Sequence, residues 1–233
     1  NEKRIFDKAK AEIIQSKVNG KKAVLDKIDR KKKSEPQPLP YDLTELQRDA
    51  NKRFGFSAKK TSSVLQRLYE QYKLVTYPRT DSRYLTTDMM NTMTDRLHGM
   101  ASGYKEEVRP LLANKGIVLA KRVFNNEKVT DHHAIIPTEQ RLNLSELDSD
   151  ERKLYDIIAR RFLALFLPAY EFETIQATFK VGGETFTAKE TNVIELGFKR
   201  VLGREGSEQL TTGLQKLSQG QSFSLKNCSI NQK

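Results

Sequence analysis

In the run "KLVTYPRTDSRYL", residues 73 to 85, a tyrosine and an arginine stand two positions apart, Tyr77 and Arg79. A phenol, with a pKa of about 10, is a poor nucleophile at neutral pH, so a tyrosine that attacks a substrate needs a cation or a metal beside it. In an extended segment, alternate side chains share a side, which predicts that Tyr77 and Arg79 face one pocket while Thr76 and Pro78 face away. A guanidinium so placed can hold both non-bridging oxygens of a phosphodiester, and this suits phosphoryl transfer. Tyrosine is also a favoured strand residue, and on these residues alone the packing explanation stays ahead.

Two neighbouring clusters bear on the choice. Lys59, Lys60, Thr61, Ser62 and Ser63 crowd the first turns of a predicted helix. Cations there oppose the helix dipole unless an anion is also present, and a DNA phosphate would supply one; a solvated charged turn is the alternative. In "TDHHAIIPT", residues 130 to 138, His132 and His133 lie between Asp131 and an apolar run that Pro137 marks as a loop. Either histidine is a candidate acid or phosphate ligand with Asp131 to orient it, or a loop-packing residue. His98 is the third histidine and Cys228 the one cysteine, so this chain carries no thiolate-built zinc site and no internal disulfide. A reducing, cytosolic setting fits.

The elements that must position these residues follow from periodicity. Ile5, Ala9 and Ile13 recur at helical spacing, and Asn19-Gly20 turns the chain into a strand-like "KAVLDKIDR". "KKKSEPQPLPY" then carries three prolines among polar residues and reads as a connector. Asp42, with Glu45 three residues on, starts a helix whose apolar face is Leu43, Leu46, Ala50 and Phe54, and Gly55 stops it. Ser57 caps the next helix, with Val64, Leu65, Leu68 and Tyr72 inward, and "LVTYP" is a short extended segment ended by Pro78. Helices are predicted over about 86–97, with Met89, Met90 and Met93, and over about 150–167, with Leu154, Ile157, Ile158, Phe162 and Leu165, ended by Pro168. From Ile175 the period becomes two, and Gly182-Gly183 turns a hairpin back through Phe186 and Ala188.

With 233 residues, 37% hydrophobic and 30% charged, the chain has the composition of a globular protein of one large or two ordinary domains. Its 41 Lys and Arg against 30 Asp and Glu give +11, which points to a polyanionic partner, nucleic acid first, or to a basic surface kept for solubility. No apolar run approaches the roughly 20 residues of a membrane span, and the N-terminus lacks the apolar core of a signal peptide. The first residue is not Met and the last twelve read as strand, as expected of a piece of something longer.

Together, "LPYDLTELQRDANKRFGF", "GFSAKKTSSVLQRLYEQYKLVTYPRTDSRYL" and "DHHAIIPT", in this order, resemble the core of type IA DNA topoisomerases. Pro78 and His133 bring the match closest to the topoisomerase III branch. The resemblance covers residues 36 to 139 by motif. It implies an α+β multidomain fold in which a helical catalytic-tyrosine domain (39–167) is inserted into a β-rich hinge or arch domain (1–38 and 168–233).

The resemblance further implies that Tyr77 attacks single-stranded DNA and keeps the 5′ phosphate as phosphotyrosine. Arg79 would contact the scissile phosphate and His132 would support cleavage, with Lys59, Lys60, Thr61, Arg79, Arg83 and His133 meeting DNA. Religation would need no ATP. The family's Mg²⁺ ligands belong to a Toprim domain that nothing here resembles, so the chain by itself is expected to hold no metal and to be inactive. The expected partners are DNA and the rest of the same polypeptide, with no membrane. A monomer in the bacterial cytoplasm, at the nucleoid, fits. Two other readings stay open: a non-catalytic basic DNA-binding module in which Tyr77 stacks on a base or packs in the core, and a tyrosine recombinase, whose tyrosine follows its arginines instead of preceding one.

Overall fold

Each helix that flanks the Tyr77 loop is fixed at its ends by local chemistry. In the computed structural model, which describes residue 5 and residues 7–113, 119–202 and 213–230, Asp42 accepts from the Glu45 amide and caps helix α2 (Leu43–Phe54). Gly55 ends that helix at φ 69°, a left-handed conformation that favours glycine. Ser57 accepts from the Lys60 amide and starts α3 (Ala58–Glu70). α6 (Ser149–Leu163) opens on a capping box: Asp148 accepts from the Glu151 amide, and the Glu151 carboxylate accepts from the Asp148 amide.

α2, α3 and α6 pack on one another through Leu46, Ala50, Val64, Leu65, Leu68, Leu154, Ile158 and Phe162, all buried. Two ion-pair groups cross this layer. Arg67 donates to Glu151 at 2.6 Å and to Asp148 at 3.1 Å. Asp49 accepts from the Tyr41 hydroxyl and lies 3.4 Å from Arg161, whose guanidinium sits 4.2 Å from the Tyr41 ring centre. Burial, followed by the Asp49 contact, raises the Tyr41 phenol to about 12 despite Arg161, so it remains a hydrogen-bond donor.

The methionine segment is a 3₁₀ turn (Thr87–Thr92) followed by α4 (Met93–Met100), not one α-helix. α5 (Lys105–Ala113) contains Pro110, which sequence rules read as a breaker, yet Val108 and Leu111 are buried. Gly99 in α4 has a steric purpose, because a Cβ there would lie 2.6 Å from the Glu139 carbonyl oxygen.

The described residues separate into two compact units. The helical unit comprises Glu35 to Tyr170 and the stretch from Leu196 to Leu202. That last stretch was expected with the β-rich segment from 168 onward. It joins the helices because Phe198, Val201 and Leu202 bury themselves there, and Arg160 donates to the Val201 carbonyl at 3.1 Å. Residues 203–212 and 231–233, also covered by that expectation, lie outside the described residues.

The other unit is built on α1 (Lys8–Val18) and the strands β1 (Lys22–Glu35, to Ser34), β2 (Tyr170–Val181, from Glu171), β3 (Glu184–Glu195) and β4 (Ser222–Ser224). The sheet order is β3-β2-β1-β4. Gly182 and Gly183, at φ 55° and 83°, form the tight turn that sets Val181 opposite Glu184. Leu25, Ile175, Ala177 and Leu214 form one core cluster, and Val18, Ala23 and Val181 another. The expected face is exposed: Ala9 and Ile13 of α1, and Ile5 ahead of it, are open to solvent while Val18 is buried. β1 continues through "KKKSE", which shortens the connector to the prolines.

Removing the Glu151 carboxylate, 2% exposed as a residue, takes away its half of the α6 capping box, the bond from the Asp148 amide, and leaves Arg67 with Asp148 alone. Glu151→Ala is expected to cost about 2 kcal/mol in urea unfolding. A loss below about 0.5 kcal/mol, the range of ordinary surface changes, would contradict this account.

Candidate active site

After α3 the chain reverses through Lys73, a non-glycine residue at φ 56°. The strained residue is held through the peptide that follows it: the Thr138 hydroxyl donates to the Lys73 carbonyl at 2.6 Å, and the Leu74 amide donates to the Leu68 carbonyl at 2.9 Å. Val75 then pairs with Pro137, and Tyr41 with Ile135. Thr76 does the most. Its amide donates to the Ile136 carbonyl, its hydroxyl donates to the Ala134 carbonyl at 2.9 Å, and the same oxygen accepts from the Ile136 amide at 3.0 Å.

Further along, the Thr80 hydroxyl donates to the His132 carbonyl at 3.0 Å, while the Ser82 hydroxyl donates to the Lys128 carbonyl at 2.7 Å. The Ala134 amide donates to the Tyr84 carbonyl. The two motif segments are thus laced together over their length.

This lacing brings Tyr77 to His132. The rings stack with centres 3.8 Å apart and planes 28° apart. Tyr69 of α3 also meets Tyr77, edge-on at 5.7 Å and 88°. Tyr77 is half-buried and His132 exposed, so the stacked pair lies at the surface of the helical unit.

Arg79 is exposed, and its position relative to Tyr77 does not follow from a regular alternation. The chain bends at Thr76 and again at Pro78 and Arg79, which breaks the two-residue period. Pro78 and Arg79 instead line a cavity against α2 and α3.

The other expected DNA contacts separate by burial. Lys59 is exposed. Lys60 pairs with Asp150 at 2.7 Å and lies 4.4 Å from the Phe56 ring centre, so a carboxylate of the chain answers the anion demand at this helix start. Thr61 is corrected: it is fully buried and its hydroxyl donates to the Ser57 carbonyl at 3.0 Å, which removes it from any DNA surface. Arg83 is half-buried, with Nε donating to the Pro40 carbonyl at 3.2 Å.

His133 is half-buried beside Ala134, whose carbonyl lies 2.9 Å from Nδ1. Burial pushes the imidazole below its ordinary range, outweighing the Ala134 carbonyl that favours the charged form, with Arg96 and His132 adding to the lowering and Asp88 opposing it. His133 is therefore neutral at pH 7, with the proton on Nδ1 and Nε2 an acceptor.

Sequence reasoning missed Thr76, Thr80, Ser82 and Tyr69. Hydroxyl residues in loops beside a functional side chain are the available signal, since they substitute for a ladder where none exists. It also missed Arg96, which is buried and donates to the Pro137 carbonyl at 2.9 Å, supporting the second motif from α4.

Mg²⁺ is the ion the resemblance implies. Among the described residues no group of three or more His, Cys, Asp and Glu side chains is placed to hold a metal, so the residues present do not fit it. Among the same residues, no helix is long and apolar enough to cross a membrane.

A family model described as DNA topoisomerase matches residues 1–233. The chain is 50% identical over 208 residues to DNA topoisomerase 3 of Bacillus subtilis (strain 168), covering 88% of this chain and 29% of that protein. It is 47% identical over 228 residues to DNA topoisomerase 3 of Bacillus licheniformis, covering 96% and 31%. It therefore spans a little under a third of the length of these relatives. The fold is similar to full-length topoisomerase I from Thermotoga maritima, with a TM-score of 0.66 and 24% identity over 96% of this chain and 36% of that one. A family match along every residue, the tyrosine loop and the bacterial relatives agree, and this chain belongs to the DNA topoisomerase family, type IA, in its topoisomerase III branch.

Proposed function

We propose that this chain is the tyrosine-bearing part of a longer topoisomerase, in which Tyr77 breaks and rejoins one DNA strand. The Tyr77 phenolic oxygen attacks a phosphodiester phosphorus, giving up its proton as the new Tyr–O–P bond forms. The P–O3′ bond breaks, the departing oxygen takes up a proton as the 3′ hydroxyl, and the 5′ phosphate stays on the tyrosine. Return of that hydroxyl reverses the step, and because the phosphoester energy is retained no ATP is consumed.

The observation that carries this reading is the Tyr77–His132 stack. It fixes the ring of a half-buried phenol at the meeting of the two motif loops, where an attacking oxygen must be held in a narrow range of positions. Exposed Arg79, two residues on, is suited to grip the non-bridging oxygens as negative charge builds on them. The net charge of +11 fits a DNA partner, and single-stranded DNA leaves the phosphate accessible.

The β-rich unit is proposed as the hinge that lets the tyrosine domain swing with its captured DNA end while another strand passes. The chain works as a monomer at the nucleoid, with relaxation or decatenation as the outcome. Metal ligands come from the Toprim part of the same polypeptide. The chain alone is proposed to be inactive, and no step above is routed through the metal.

Three outcomes are expected of the full-length protein with end-labelled single-stranded DNA. Tyr77→Phe abolishes the denaturant-resistant covalent adduct while DNA binding stays within about twofold, and an undiminished adduct would contradict the proposal. Arg79→Ala slows cleavage on the order of a hundredfold but changes the salt slope of binding by only about one unit. Binding and cleavage losses of equal size would instead make Arg79 a plain binding residue. Thr76→Val strands the Ile136 amide and leaves the Ala134 carbonyl with His133 Nδ1 alone, costs about 1–2 kcal/mol in urea unfolding and slows adduct formation roughly tenfold. Unchanged adduct kinetics at that stability loss would show that the lacing holds the fold without positioning Tyr77.

A further inference from the structure

The cavity that Arg79 lines is not used by the chemistry above. It measures about 390 Å³ and lies between α3 and the start of α2. Leu43 and Pro78 give it apolar surface, and Ser62, Gln66 and Glu70 give it a polar wall. Gln66 donates one amide hydrogen to Glu70 at 2.6 Å, leaving its carbonyl oxygen, its second N–H and a Glu70 oxygen for a ligand. Ser62 Oγ accepts from Gln47 at 3.0 Å and keeps its own O–H as a donor.

A flat heteroaromatic ring needs this combination: apolar surface for its faces, with mixed donors and acceptors for its edge. The volume lies at the lower end of the range for small-ligand sites, and a single base with part of its sugar suits it.

We infer that this cavity is a nucleobase subsite, taking a base of the bound DNA strand one or two nucleotides from the scissile phosphate. The inference rests on the proposed role of Arg79. Arg79 is both the proposed phosphate ligand and a wall of the cavity, so a strand gripped there presents its adjoining base to the opening. Pro78 alone separates Tyr77 from Arg79, so their Cα atoms lie at most about 7 Å apart, which keeps the subsite in the neighbourhood of the cleaved bond. The Gln66–Glu70 pair would read the edge of that base, making it a determinant of cleavage-site choice.

The test uses the full-length protein carrying Tyr77→Phe, so that binding is measured without cleavage, and an oligonucleotide with one mapped cleavage site. A single abasic nucleotide is moved through the sequence and the affinity read by fluorescence anisotropy. One position within two nucleotides of the cleaved bond is expected to lose roughly tenfold in affinity, the effect of one lost base contact. Adding Gln66→Leu should reduce that loss to under twofold, and Glu70→Leu should do the same, with unchanged circular dichroism showing that both variants fold.

A flat abasic profile, or one that both variants leave intact, overturns the inference. So does competition by a free deoxynucleoside monophosphate on a flat profile, which would make the cavity a free-nucleotide site. Adduct formation by the protein with Tyr77 intact, on the unmodified oligonucleotide, is measured in parallel. If the adduct forms and the profile is flat, the subsite alone has failed; if no adduct forms, the reading of Tyr77 has failed first.

Discussion

The Thr76 hydroxyl, donating to the Ala134 carbonyl and accepting from the Ile136 amide, is the contact on which the site depends. Neither segment that it joins belongs to a helix or an extended ladder, so neither has the repeated backbone pairing that fixes regular elements. Side-chain oxygens supply the missing partners, with Thr80, Ser82 and Thr138 continuing the work on either side of Thr76. Beneath them Val75, Ala134, Ile135 and Ile136 are at most 1% exposed, so the polar lacing lies over a dry floor that cannot shift without opening a cavity. The stack of Tyr77 on His132 follows from this arrangement.

The helices support the loops by crosslinking them to the layer below. Tyr41 pairs its backbone with Ile135 while its hydroxyl is fixed on Asp49, and Arg161 from α6 pairs with that aspartate. Arg96 reaches from α4 to the Pro137 carbonyl. These cations are spent on internal carboxylates and carbonyls, as are Lys60 and Arg67. The net charge of +11 therefore overstates the positive surface near the site, where exposed Arg79 and Lys59 stand out among the residues considered for DNA.

Where local chemistry decides, the sequence was legible: the caps Asp42 and Ser57, the stop at Gly55, the apolar stripes of α3 and α6 and the glycine turn between β2 and β3 all follow local rules. The proximity of "TYPR" and "DHHAIIPT" was legible only through the resemblance, because no local rule joins segments that far apart. Alternation failed at Tyr77 and Arg79 because hydrogen bonds to a distant loop bend the chain there. Thr61 was misread because helix starts expose most residues but turn one face inward, and composition does not say which. Pro110 hid α5, and Ile5, Ala9 and Ile13 kept helical spacing without a core to face.

That Tyr77 is the residue joined to DNA is tested most directly by mapping the covalent linkage. Full-length protein trapped on single-stranded DNA with denaturant, digested with nuclease and then with trypsin, should yield the peptide Leu74–Arg79, LVTYPR, carrying a 5′-linked nucleotide on its tyrosine. A nucleotide found on the peptides containing Tyr69, Tyr72 or Tyr84, with LVTYPR unmodified, would contradict the account.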